Sequence, residues 1–170
     1  MMAQVARFIA FVATVWGANA AVVWWGVVPV GFGWSAPAGV WLAGLAFTAR
    51  DALQEGRQGP AWVGAGILLG AGLSGWLSGP LAVASGVAFG LSEALDWAVY
   101  TPLRTRGRPV ALAASNLVGS AVDSAVFLWL AFGSLAWWPG QMLGKMQATA
   151  AVLFIWACWD RWRRARPVTA

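Results

Sequence analysis

The sequence contains no histidine and a single cysteine, Cys158, and only 10% of its 170 residues are Asp, Glu, Lys or Arg. Without histidine and with one thiol it lacks the usual ligand sets for zinc and the base that activates a nucleophile. No Gly-flanked pair of aspartates on two helices takes their place, so no enzyme, metal site or cofactor is expected. Cys158 has no disulfide partner and reads as a structural filler. The scarcity of charge, set against 60% hydrophobic residues, also excludes a soluble domain of this size. A net charge of +5 and a pI near 11.1 would suggest nucleic acid in a soluble protein. Here the basic residues sit beside apolar stretches, where membrane topology and anionic lipid explain them, and no nucleic-acid partner is expected.

What the sequence has in abundance is mostly apolar runs of membrane-crossing length, roughly 20 residues. Six are expected, at 8–30, 37–51, 61–77, 80–100, 109–132 and 138–159, divided by Gly, Pro and Ser clusters or by arginines. The second and third are short. The fold class that follows is an all-α polytopic membrane protein, one bundle of six transmembrane helices. Arg7, the pair Arg50 and Arg57, the trio Arg104, Arg106 and Arg108, and the group Arg161, Arg163, Arg164 and Arg166 all fall on one side of such a bundle. The loops 31–36, 78–79 and 133–137 carry no charge. Basic residues accumulate in cytoplasmic loops, so both termini are expected in the cytoplasm. The first run is too long for a signal peptide, and its tract Ala18-Asn19-Ala20 lies inside the apolar stretch, so it is read as a retained span. Trp24, Trp25, Trp34, Trp137 and Trp138 at one end and Trp159 and Trp162 at the other form an interfacial belt.

Ionisable residues inside spans are costly and tend to mark a pathway or site. Glu93 and Asp96 share a face of span four at i, i+3 spacing, with Ser92 beside them. On span five, Asn116, Ser120 and Asp123 recur at helical spacing, a polar stripe expected to face span four. Gln141 and Lys145 lie one turn apart on span six, and Lys145 is expected to pair with Asp123 or with a bound ligand. A buried ion pair that merely fixes helix packing is the alternative for Asp123 and Lys145. At the inner end of span two, Arg50, Asp51 and Gln54 read either as solvated interface residues or as part of a site.

Residues 43–54 (AGLAFTARDALQ) align without gaps to 85–96 (SGVAFGLSEALD), with Asp51 opposite Glu93. Such a parallel repeat would set these two acids at similar depth as paired elements of one site. Two ladders on span one, Ala10, Thr14, Ala18 and Ala13, Gly17, Ala21, allow close approach of an internal helix or of a second protein.

The stretches AFTARDALQE, SGVAFGLSEALDWAVYTPLR, ASNLVGSAVDSAVFLWLAFG and PGQMLGKMQAT together resemble the VUT family of vitamin uptake transporters, also called YhhQ-type queuosine precursor transporters. The likeness covers nearly the whole chain. It implies a multi-pass protein of the bacterial inner membrane that imports the 7-deazaguanine bases preQ0 and preQ1. The implied partners are a purine-like small molecule and the lipid bilayer, and a homo-oligomer remains open. The residue chemistry is compatible with that implication. A guanine-like edge offers an N–H and an exocyclic amine to one carboxylate, for which Glu93, Asp96 and Asp123 are candidates. Asn116 and Gln141 are placed to read ring heteroatoms, and Trp16, Phe89 or Trp97 to stack on the heterocycle. Alternating access around a site between spans four, five and six completes the picture. The competing readings are a substrate-binding subunit of an energy-coupling-factor system, whose first helix would dock on a partner, and a purely structural membrane protein, which would have little use for mid-span acids.

Overall fold

The computed structural model describes residues 2–54, 59–106 and 108–165. The side chains of Asp96, Trp97, Arg104, residues 108–113, Asn116, Trp156 and Ala165 lie outside what is described, as do Arg57 and Arg166 altogether. Among the described residues six α-helices occur in chain order: α1 Met2–Trp25, α2 Val40–Gln54, α3 Gly59–Gly75, α4 Gly79–Leu103, α5 Arg108–Phe132 and α6 Trp138–Ala165. A 3-10 turn, Arg104–Arg106, joins α4 to α5, and a two-stranded antiparallel hairpin, β1 Val27–Gly31 and β2 Trp34–Pro37, joins α1 to α2.

The hairpin departs from the all-α expectation. The first span was expected to run to Val30, but α1 ends at Trp25 because Gly26 adopts a left-handed conformation (φ 62°) and its N–H bonds to the Val22 carbonyl, an αL cap. Beyond it, Val27, Val28 and Val30 are β-branched and Pro29 cannot donate to a helix. The turn takes positive φ at Gly31, Phe32 and Gly33. Hydropathy treats Val-Val-Pro-Val like any apolar run and cannot see this change of period.

Helices α1, α4 and α6 are long and apolar enough to cross a membrane by length and composition, and 117–132 of α5 forms a shorter apolar helix. With 15 and 17 residues, α2 and α3 reach only about 22 to 26 Å at 1.5 Å per residue, short of a bilayer core of about 30 Å. The polarity of the fold is inverted relative to a water-soluble protein. Leu68, Leu69, Val83, Trp129, Phe154 and Ile155 are exposed, whereas Asn19, Arg50, Asp123, Gln141 and Lys145 are buried. Lipid suits that exterior, and the buried polar groups must be satisfied inside the bundle.

Glycines set the closest approaches. A Cβ on Gly44 would stand 2.8 Å from Ala148 Cβ, and one on Gly144 2.6 Å from Val40 Cγ2, so α2 and α6 cross backbone to backbone. Gly66 and Gly70 of α3 receive Phe11 and Val15 of α1 in the same way. On α1, Gly17 and Ala18 meet Leu42 and Gly39, and Ala21 is buried. These ladder positions therefore pack an internal neighbour, while Ala10 and Ala13 remain exposed. Cys158 is exposed on α6 rather than filling the interior.

Three buried clusters surround a central space: Phe11, Ala46, Leu53, Val63 and Phe89 toward the arginine-bearing end, Val22, Ala84, Ala88, Phe127 and Leu128 between α1, α4 and α5, and Val30, Ala36 and Val40 under the hairpin. At the arginine-bearing end, Gln4 Nε2 and Arg7 Nη1 of α1 donate to the Leu53 and Ala52 carbonyls at 3.0 and 2.9 Å, satisfying orphan acceptors at the end of α2.

Candidate functional site

Every helix contributes to the wall of one central cavity. Its lining includes Asn19 of α1, Phe47 of α2, Ile67 of α3, Ser85 and Phe89 of α4, Asp123 and Phe127 of α5, and Gln141 of α6. The water-accessible volume is about 60 Å³, several times the ~10 to 15 Å³ that one ordered water occupies. Most of the wall is aliphatic or aromatic, with a few polar groups converging on it, the usual composition of a small-molecule site.

On one side of the cavity stands a charge pair. Lys145 Nζ of α6 donates to Asp123 Oδ2 at 2.5 Å and to Ser124 Oγ at 2.7 Å, both on α5. It also reaches the Ser120 carbonyl at 3.5 Å and lies 5.3 Å from the centre of the Phe47 ring. Three oxygen acceptors and an aromatic face thus compensate a cation that is only 3% exposed. Of the two partners expected for Lys145, the structure shows Asp123. The polar stripe of α5 was expected to face span four. Of its described members, Asp123 meets Lys145 of α6 through its carboxylate and Ser120 does so through its backbone carbonyl, while Asp123 also lines the cavity together with Ser85 and Phe89 of α4. Asn116, the third member, has its side chain outside the described residues.

A second charged node lies toward the arginine-bearing end. Arg50, 3% exposed, places Nη1 3.0 Å from Glu93 Oε1 and Nε 3.1 Å from Asp51 Oδ1. Gln54 Oε1 accepts from Nη1 at 3.4 Å. Asp51 and Glu93, equivalent in the repeat, therefore share one guanidinium across α2 and α4, and Arg50 is no solvated surface residue. One helical turn away, the equivalent Phe47 and Phe89 stack at 5.3 Å and 25°, with Phe11 against Phe89 at 5.6 Å. The aromatic layer borders the cavity, whereas Arg50, Asp51 and Glu93 are not among its described lining residues. The side chain of Asp96 lies outside the described residues, so the expected pairing of Glu93 with Asp96 is not described.

Two polar groups escaped sequence reasoning. Asn19, in mid α1 and 2% exposed, donates through Nδ2 to Ser74 Oγ of α3 at 2.9 Å and accepts from Ser85 Oγ of α4 at 2.7 Å. Gln147 of α6 donates to the Val30 carbonyl at 2.8 Å and accepts from Trp41 Nε1 at 2.9 Å, tying the hairpin and the start of α2 to α6. An uncharged amide among alanines gives no hydropathy signal. Asn19 was legible only as the one amide of α1 beyond its first turn, which holds Gln4.

Among the described residues no group of histidines, cysteines and acids could hold a metal ion. A family model described as putative vitamin uptake transporter matches residues 5–162. No curated protein and no solved structure matches the chain.

Proposed function

Because this chain belongs to the vitamin uptake transporter family, we propose that it is a stand-alone carrier of the bacterial cytoplasmic membrane that imports queuosine precursors, the 7-deazaguanine bases preQ0 or preQ1. In this reading all six helices lie in the bilayer with the arginine-bearing end and both termini in the cytoplasm. The observation that carries it is the central cavity, where a carboxylate (Asp123) and an amide (Gln141) face aromatic rings (Phe47, Phe89, Phe127). A carboxylate accepts the N–H and exocyclic amine of a guanine-like edge together, an amide serves the ring carbonyl, and phenyl faces stack on the heterocycle.

The cavity has room for several waters, so a bicyclic base enters only as the walls part, which is what alternating access supplies. Two charged contacts are placed to change during that motion. Lys145 would leave Asp123 for Ser124 and the Ser120 carbonyl as the base takes the carboxylate. The Arg50 node beneath the phenylalanine stack would open to release substrate toward the cytoplasm, with Glu93 or Asp96 as the next acceptor.

The test is queuosine formation from added preQ0 in a strain unable to synthesise the base. Asp123→Asn and Glu93→Gln are expected to abolish it while the protein still inserts, and normal queuosine in both variants would sink the proposal. The exposed Ala10 and Ala13 of α1 keep a second reading in view, a binding subunit that needs an energising module. Uptake that persists in cells without such modules excludes it.

A further inference from the structure

The charged wall of the cavity, Asp123 with Lys145, has an uncharged counterpart that includes α1, a helix outside the site expected between spans four, five and six. Asn19 and Ser85 both line the cavity, and the Ser74, Asn19 and Ser85 chain fixes the amide's orientation from two other helices. An amide has two N–H donors and a carbonyl with two lone pairs. The bonds to Ser74 and Ser85 use one of each, and the Ser85 hydroxyl, donating to Asn19, keeps its lone pairs. This wall therefore offers a ligand both a donor and an acceptor. The charge balance adds a second constraint. Asp123 is the one ionisable side chain among the described lining residues, and Lys145 stands on it at 2.5 Å. A net charge brought into such a chamber would have no counter-charge, and an unpaired charge in an apolar surround is heavily penalised.

We infer that α1 supplies a second recognition wall, Asn19 with Ser85, and that the charge-balanced chamber selects an electrically neutral planar heterocycle bearing hydrogen-bonding groups on two edges. The inference rests on the transport reading above and narrows its substrate class. The nitrile preQ0 is neutral, whereas preQ1 carries a protonated primary amine, so preQ0 is the preferred precursor. Carboxylate vitamins such as biotin and pantothenate, and the thiamine cation, are disfavoured on the same ground.

The experiment is ligand binding to the purified full chain in lipid nanodiscs, with preQ0 and guanine as neutral probes, preQ1 and thiamine as cations, and biotin and pantothenate as anions. A neutral heterocycle should bind tightest. Ser85→Ala, which leaves the Asn19 bond to Ser74 in place, and Asn19→Leu should each weaken it by about tenfold or more, because a buried partner of the ligand is removed. Asn19→Asp places a carboxylate on the neutral wall and should raise the ratio of preQ1 to preQ0 affinity by about tenfold, a change in selectivity that a purely structural amide would not produce. Should Asn19→Leu fail to fold, Ser85→Ala and Asn19→Asp decide. Unchanged affinity and selectivity in the folded variants overturns the inference, as does tightest binding of a charged probe or binding of no neutral probe. Tight binding of guanine without preQ0, lost in the variants, keeps the inference and defeats the queuosine-precursor assignment. Binding of preQ0 that the variants leave untouched does the reverse.

Discussion

Phe47 of α2 and Phe89 of α4, which occupy equivalent positions in the internal repeat, stack with their ring centroids 5.3 Å apart. One turn further along the same two helices, the equivalent acids Asp51 and Glu93 hold opposite sides of the Arg50 guanidinium. The two helices thus meet through two successive tiers of long side chains, an aromatic tier against the cavity and a charged tier beyond it. Each tier depends on contacts that one substitution removes.

Arg50→Ala would leave Glu93 and Asp51 without the cation that joins α2 to α4. Removing one partner of a buried pair destabilises by roughly 3 kcal/mol, discounted here because the Glu93 side chain is 21% exposed. We expect a clear drop in the thermal midpoint of the purified protein. The double variant Arg50→Leu with Glu93→Leu should recover part of that drop but no transport. A midpoint unchanged in Arg50→Ala would refute the charged tier as a brace.

At the other charge pair, Lys145→Met strands the Asp123 carboxylate among apolar neighbours, again at a cost of roughly 3 to 5 kcal/mol. Adding Asp123→Asn should restore much of the stability, since the stranded charge is gone, while uptake stays lost. Full uptake in that double variant would mean that the pair only fixes packing, the alternative that the sequence left open.

Close helix crossing makes glycine substitutions unequal. Gly44→Ala puts a methyl 2.8 Å from Ala148 Cβ and 3.0 Å from the Lys145 Cα, and overpacking of this kind costs typically about 1 to 3 kcal/mol. Gly90→Ala meets nothing within 4 Å and should be neutral or stabilising by about 0.5 to 1 kcal/mol through helix propensity. Thermal midpoints that rank the two variants the other way would contradict the α2 and α6 crossing.

Gln147→Leu removes both the donor to the Val30 carbonyl and the acceptor for Trp41 Nε1. One of these bonds is exposed and the other part-buried, so each contributes about 0.5 to 1.5 kcal/mol locally, and the hairpin should loosen before the bundle does. Amide hydrogen exchange across 27–37 should speed up by about tenfold or more, with α4 and α5 unchanged. Equal protection in variant and wild type would show that Gln147 does not anchor the hairpin.

Composition alone, with no histidine, few charges and long apolar runs, determined that this chain is helical and suited to lipid, because a bilayer imposes length and hydropathy on every segment that crosses it. The repeat set Asp51 and Glu93 opposite each other, and in the structure both reach Arg50; Asp123 was one of the two partners expected for Lys145 and is the one it meets. Tertiary structure decided what depends on three-dimensional neighbours. The end of α1 at Gly26 turned on a backbone conformation that hydropathy does not encode, and Asp123 of α5 found its partner on α6 because the Lys145 ammonium lies there. Asn19 became part of the cavity only through serines far away in the chain, Ser74 and Ser85, and no periodicity within one helix records which hydroxyls a neighbouring helix will bring to it.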